Sequence, residues 1–463
     1  MKLRLPLLLA TAVMACYSHV SADTATGFSV NFVSVNGNPI SGTEEIGVVG
    51  SDFTVQADNW NNITPSVANQ WYNVTKDNSG AALSGLRIAS TRAISTWTAG
   101  VKETETDKLL SNYIDTNSTT AYTVTIAGVP YISSTVYIIM SGDGGTFTAM
   151  NVNGTDWTSD GTNTVEGNTP WGNRAASQGA LTPGTNTLVV EGVIGGTIKI
   201  GNVLSGSARG TMAGLQVVDS YQGTYRYRLV EADGNWNGNV WGSNATDPGT
   251  NAWSGTREAA VLYSSATENS SYTLSLGNGQ VHADGIILMQ GNLTLDSGTL
   301  VLENEKVITV QQGAALTLGG NLTLENFNNA FGGWGTIYYN ILGTSYSLKD
   351  LTFEGAIIFG DDKEVTLTDS AQAGLLQTGD GKLNLGASGT YGVNGFALTI
   401  GENACSGLTA NAADQSLTLS ASSTASITGL TVIPRESAPP LMVDAVVLNV
   451  KSLSNNNPVP SPK

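Results

Sequence analysis

Apolar and polar positions alternate with period two along most of the chain, and this pattern predicts strands. In "GFSVNFVSVNG" Phe28, Val30 and Phe32 fall on one face, with Val33 and Val35 following a bulge. Two further strands, Tyr122–Ile126 and Thr135–Met140, are joined through Gly128 and Pro130. "TNTLVVEGVIGGTIKIG" predicts a hairpin, with Gly195-Gly196 at the turn where positive φ is needed. "MAGLQVVDSY" supplies a closing strand. Strands of this length, separated by turn residues, predict a β-sandwich over 23–222. Helical spacing shows only in "ETDKLLSNYID", where Leu109, Leu110 and Tyr113 suit either a short helix or a loop packed on the sandwich.

From about Thr224 the cadence changes. The strands become short, uniform and closely repeated, as in "GNLTLDSGTLVLENEKVITVQQGAALTLGGNLTLENF". The hexads Gly291–Asp296 and Gly320–Glu325 lie 29 residues apart, with Leu300/Leu302, Ile308/Val310 and Leu316/Leu318 between them. "DLTFEGAIIFG", "EVTLTDS", "KLNLGA" and "SLTLSA" continue the rhythm. Inward Leu and Ile alternating with outward Thr and Asn, with Gly or Asp at the corners, predict a β-solenoid over 223–450. Each rung needs its neighbour to bury its apolar row. The fold class is therefore all-β, a jelly-roll-like sandwich followed by a β-solenoid. The join is marked by "DGNWNGNVWGSNATDPGTNAWSG", residues 233–255, where Trp236, Trp241 and Trp253 stand among Asn and Gly. Alone they suit a sugar-binding surface. Beside the strands that follow, they suit a cap that closes the first rung.

Composition sharpens this picture. Only 12% of residues are charged while Gly numbers 55, so Asn, Ser and Thr make the polar surface. "MKLRLPLLLATAVMACYSHVSA" has the charged start, short apolar core and small-residue end of a secretory signal, with cleavage expected after Ala22. A rival reading of "VMAC" would acylate Cys16. Losing Lys2 and Arg4 takes the formal net charge from −17 to −19. Such an acidic chain without a basic cluster is not expected to bind nucleic acid. No later stretch suits a membrane-spanning helix. The mature chain would keep one cysteine, Cys405, and one histidine, His282, which leaves neither an internal disulfide nor a Cys/His zinc site. Residues 451–463 are rich in Pro, Asn and Ser and read as a disordered tail. Oligomeric state is not legible.

Two resemblances follow from these motifs. Through "NWNGNVWG", "NAWSG", "AAVLYSS", "YTLSLGN" and "GNLTLDSGTLVLE", residues 224 to about 330 resemble passengers built from autotransporter-associated β-strand repeats. Through "ADNWNNI", "LLSNYID", "VTIAGVPY", "VYIIMSGD", "MNVNGTDW" and "NTLVVEG", residues 24–221 resemble the galactose-binding-like jelly roll. The resemblance implies an exported protein, secreted or held at the cell surface or outer membrane. It departs from self-exporting autotransporters in that nothing after residue 430 suits a C-terminal barrel.

Motifs for catalysis are sparse. GxSxG, HExxH, GxGxxG and P-loop patterns are absent. Asp361-Asp362 in "IIFGDDKEVTL" resembles the paired aspartates of polygalacturonases, but the other motifs of that family are missing, and a β-turn accounts for the sequence. "KETETDK" suits a solvated face. No cofactor is expected; "SGDGG" around Asp143 could ligate a structural calcium ion, but a Gly-rich turn is the preferred account. For ligand binding the candidates are Trp60, Asn61, Trp71, Trp157, Trp171 and Arg174. Indole faces stack on sugar rings while Asn and Arg bond hydroxyls. The structural alternative is that Trp60 and Trp171 plug the ends of the sandwich. The expected function is non-enzymatic adhesion or glycan contact, with extracellular glycans or host and matrix glycoproteins as partners. A polysaccharide-active enzyme and a purely structural exoprotein are the alternatives.

Overall fold

The computed structural model describes the chain from Thr26 to Asn455 with the exception of several segments, among them 92–94, 142–148, 159–180 and 203–211. Beyond Phe359 it describes strands alone. The signal-like segment, the tail 456–463, Cys405, Asp143 and Asp361-Asp362 lie outside the described residues. The chain divides into two compact units at Gln222/Gly223.

The first unit is a sandwich. A five-stranded sheet runs Thr187–Ile194, Ser133–Ile139, Gly214–Asp219, Gly27–Phe32, Trp60–Ile63. A six-stranded sheet runs Thr155–Thr158, Ala149–Val152, Thr197–Asn202, Thr123–Ala127, Arg87–Ser90, Tyr72–Asn73. Their facing sides share one core. Phe28, Val30, Val136, Ile138, Leu188 and Leu215 meet Ile88, Val124, Ile126, Met150, Ile198 and Ile200. Burial of each such side chain contributes about 1.5–3 kcal/mol.

The hairpin expected across Gly195-Gly196 does not form. Thr187–Ile194 belongs to the five-stranded sheet and Thr197–Asn202 to the six-stranded one. Gly195, at φ 99°, turns the chain from one layer to the other, and its N–H donates to Ile132 O. Alternation demands only that Leu188, Val190, Ile198 and Ile200 face a core, and crossing between layers meets that demand as well as pairing would.

"ETDKLLS" resolves to a helix, Glu105–Ser111, started by a reciprocal capping box between Thr104 and Asp107. Leu109, Leu110 and Tyr113 pack with Trp60, Tyr137, Ile139 and Val218 in a second core on the far side of the five-stranded sheet. That sheet is thus covered on both faces.

The second unit is a parallel β-solenoid. Leu293 aligns with Leu316, Leu316 with Ile337, Ile337 with Ile357 and Ile357 with Leu376, so a rung takes some twenty residues. The long strand Asn292–Val310 turns two corners and serves three sides of one rung. One corner is Gly298, at φ 102°, where an added Cβ would lie 2.4 Å from Gly277 O. The two GNLTL hexads do not stack on one another. Leu293 and Leu295 of the first meet Leu316 and Leu318, while Leu322 and Leu324 of the second meet Gly298 and Leu300 on another side. Their spacing of 29 residues spans one rung and a corner, so it overstates the repeat.

Candidate functional site

The sandwich candidates fall in very different settings. Trp60 is 2% exposed, in the second core, and offers no face to a ligand. Asn61 is buried and fully engaged. Its amide donates to Ser29 O at 3.1 Å and Lys76 O at 2.8 Å, and its oxygen accepts from Thr75 N at 2.9 Å and Lys76 N at 3.2 Å. It ties the strand Trp60–Ile63 to the following loop. Trp157 is half-buried against the sandwich core, with its Nε1 buried and without a hydrogen-bond partner. Trp171 and Arg174 lie outside the described residues.

Trp71 differs from these. It precedes the edge strand Tyr72–Asn73 and keeps part of its surface open. The guanidinium of Arg87, on the adjacent strand, lies 3.9 Å from the indole centroid. Leu86 and Ile88 point into the core, so Arg87 between them faces outward, and at 6% exposed it is largely covered. A cation this close over an indole is attracted to the ring face and helps hold both groups in place. Arg87 was not legible as a site residue, since it stands in an ordinary strand, "LRIAS".

At the start of the solenoid Trp236 and Trp241 are both fully buried and Trp253 packs beside them. Ring centroids lie 4.6–5.2 Å apart. The strand Gly234–Asn235 pairs with Leu274 and Ser275, so the loop joins the first rung. Trp241 Nε1 donates to Trp236 O at 2.9 Å, and Arg228 Nη1 to Asn235 O at 2.8 Å. Burial lowers the Arg228 guanidinium to about 10. These tryptophans form a core rather than a binding face.

Along one corner of the first rungs runs a ladder of charged and polar groups. Arg226 Nε meets Glu258 Oε1 at 2.7 Å, and Glu258 Oε2 accepts from the backbone N–H groups of Ser254 and Gly255. Burial pushes the Glu258 carboxyl up, but these hydrogen bonds outweigh it and hold it below its ordinary value. His282 Nδ1 lies 2.6 Å from Glu303 Oε1. Asp284 is 1% exposed, accepts from Asn304 Nδ2 at 2.7 Å and has Arg257 Nε at 3.8 Å. Burial, with the Asp284 charge added, raises the Glu305 carboxyl, and Arg257 opposes this. The residues 303–306 form an excursion opposite Asp284, because Ala283 pairs with Leu302 and Gly285 with Val307. The run "ENEK" reads in sequence only as a polar break between strands, and its approach to Asp284 depends on rung register. Among the described residues no group of three or more His, Cys, Asp or Glu could hold a metal ion. Nor is any helix among them long and apolar enough to cross a membrane.

The fold defines an all-β protein that carries a β-sandwich and a β-solenoid. No family model matches the sequence, and no curated protein matches it. Among solved structures, protein YXIM from Bacillus subtilis aligns at a TM-score of 0.22 and 9% identity, over 54% of this chain. The chain spans 64% of the length of that structure. The Agl-KA catalytic domain aligns at a TM-score of 0.17 and 9% identity, over 78% of this chain and 96% of that one. Neither likeness is close enough to bear on function.

Proposed function

We propose that this chain is an exported, non-enzymatic surface protein that contacts glycans through its sandwich and uses the solenoid as a stalk. The observation that carries the reading is Trp71, the one sequence-predicted tryptophan among the described residues that is partly open and held against a cation. Indole rings fixed in this way suit the C–H face of a sugar, with no ordering of the side chain left to oppose binding. Order of units also supports it: a galactose-binding-like jelly roll ahead of an autotransporter-associated repeat passenger is a sandwich followed by parallel rungs. Export rests on the signal-like residues 1–22.

A glycan array probed with the full chain and with Trp71→Ala tests the reading. Binding to at least one extracellular or mucin-type glycan, lost in the variant, is expected. A blank array would leave the purely structural exoprotein as the better account.

A second reading, a polysaccharide-active enzyme on the solenoid, gains one specific observation. Burial and the Asp284 charge raise the Glu305 carboxyl, and two neighbouring acids with one shifted upward are an arrangement that glycoside cleavage uses. Release of reducing ends from a polysaccharide panel, abolished by Glu305→Gln, would favour it over adhesion.

A further inference from the structure

Identical Asn-Gly pairs meet very different surroundings in this fold. Three of them lie among the described residues: Asn153-Gly154, Asn237-Gly238 and Asn278-Gly279. In such a pair the glycine backbone nitrogen can attack the asparagine Cγ, because glycine has no Cβ to hinder the approach. Attack requires an asparagine amide free to swing round and a glycine N–H open to water.

Asn153-Gly154 is held against that movement. It forms the exposed turn between the strands Ala149–Val152 and Thr155–Thr158. Gly154 N donates to Asn151 Oδ1 at 2.9 Å, and Asn153 Oδ1 accepts from Lys199 N at 2.7 Å. Asn153 N also donates to Lys199 O at 2.9 Å. Both reacting groups are already engaged, so exposure alone does not make the pair reactive. Asn237-Gly238 directly follows the buried Trp236, whose N–H donates to Ser275 O at 2.9 Å. Gly238 is half-buried, and a Cβ built on it would lie 3.4 Å from the Val240 side chain.

Asn278-Gly279 has none of these restraints. It lies at the corner between the strands Tyr272–Ser275 and Gln280–Gln290, and both residues are exposed. Among the described residues no hydrogen bond engages the Asn278 side chain or the Gly279 N–H. Gly277 and Gly279 flank the asparagine, and nothing lies within 4 Å of a Cβ built on either. The corner therefore has room for ring closure.

We propose that Asn278 is a site of spontaneous deamidation, converting to isoaspartate and aspartate with water as the only co-reactant. Base removes the Gly279 amide proton, the nitrogen bonds to Asn278 Cγ, and the Cγ–Nδ2 bond breaks to release ammonia. Water then opens the succinimide at either carbonyl and returns the proton to nitrogen. A neutral amide becomes a carboxylate. Opening at the backbone carbonyl gives isoaspartate, which carries the main chain through the former side chain and lengthens it by one methylene. This inference stands apart from glycan contact.

Peptide mapping by mass spectrometry of the full chain, aged in mildly alkaline buffer, tests it. Asn278 should convert about tenfold faster than Asn153, with Asn237 between them. In urea the three rates should converge, because the fold no longer separates the pairs. Gly279→Ala should slow Asn278 about tenfold by hindering the attack, and the open corner accepts the added methyl. Asn151→Ala frees the Gly154 N–H and should speed Asn153 while leaving Asn278 unchanged. Conversion at Asn278 no faster than at Asn153 in the folded chain, or led by Asn237, would overturn the assignment. A rate at Asn278 indifferent to pH or to Gly279→Ala would overturn attack by the Gly279 nitrogen.

Discussion

The indole Nε1 of Trp253 donates to the backbone carbonyl oxygen of His282 at 2.9 Å. That bond fastens the Trp-rich loop to a strand of a later rung, and Trp236 and Trp241 fill the space behind it. The loop therefore closes the end of the solenoid core, where a bare row of Leu and Ile would otherwise meet water. Trp241→Ala is expected to cost about 3–5 kcal/mol through the cavity it leaves. Trp253→Phe keeps most of the packing and orphans the His282 carbonyl, at about 1 kcal/mol. Thermal denaturation of the full chain, followed by tryptophan fluorescence and circular dichroism, should rank the two in that order.

Inward and outward positions of one strand should respond differently. Leu316 is fully buried between Leu293 and Ile337, and Leu316→Ala should destabilise the solenoid by about 2–5 kcal/mol. Thr317, the next residue, points away from that core, and Thr317→Ala should stay within about 0.5 kcal/mol. Urea midpoints of the two variants measure the contrast, and equal shifts would contradict the register.

Asn61 is expected to act in stability rather than in binding. Asn61→Ala leaves Ser29 O, Lys76 O and the N–H groups of Thr75 and Lys76 without their partner. A loss of about 1–3 kcal/mol is expected for the buried groups so abandoned. Glycan affinity of the folded variant should match the wild type, which a direct role of Asn61 in the ligand site would not allow.

Glu258 should shape the acid limb of stability. Its carboxyl is held below the ordinary value, since hydrogen bonds from Arg226, Ser254 and Gly255 overcome the effect of burial. A depressed carboxyl stabilises the fold above its unfolded value, about 4.3, and that contribution is lost as pH falls through the lower folded value. Glu258→Gln should therefore be less stable than the wild type at pH 7, with the gap narrowing toward pH 3. Denaturant midpoints at pH 7, 5 and 3 check this, and a gap constant across the range would contradict it.

Much of the fold was legible because alternation is a local consequence of burying one face. Phe28, Val30 and Phe32 share a core as their spacing predicts, and Leu293 and Leu295 line the solenoid. Pairing was less legible. The residues on either side of Gly195-Gly196 alternate correctly for a hairpin and yet belong to different sheets. The twin hexads look like equivalent rungs and occupy different sides.

Candidate sites were legible by residue type and not by setting. Trp60 and Trp71 both stand in Asn-rich surroundings, yet one lies 2% exposed in a core and the other keeps part of its surface open. Arg87 and Glu305 carried no signal at all, because each depends on a neighbour across a sheet or a rung.

The sequence by itself determined an all-β chain with two kinds of strand rhythm, because period two and turn residues act within a few positions of one another. Tertiary structure alone decided which strands pair, which tryptophans are core, and where charges meet. Those outcomes depend on partners dozens of residues away, such as Gln216 against Ser29 or Arg226 against Glu258, whose approach no local pattern encodes.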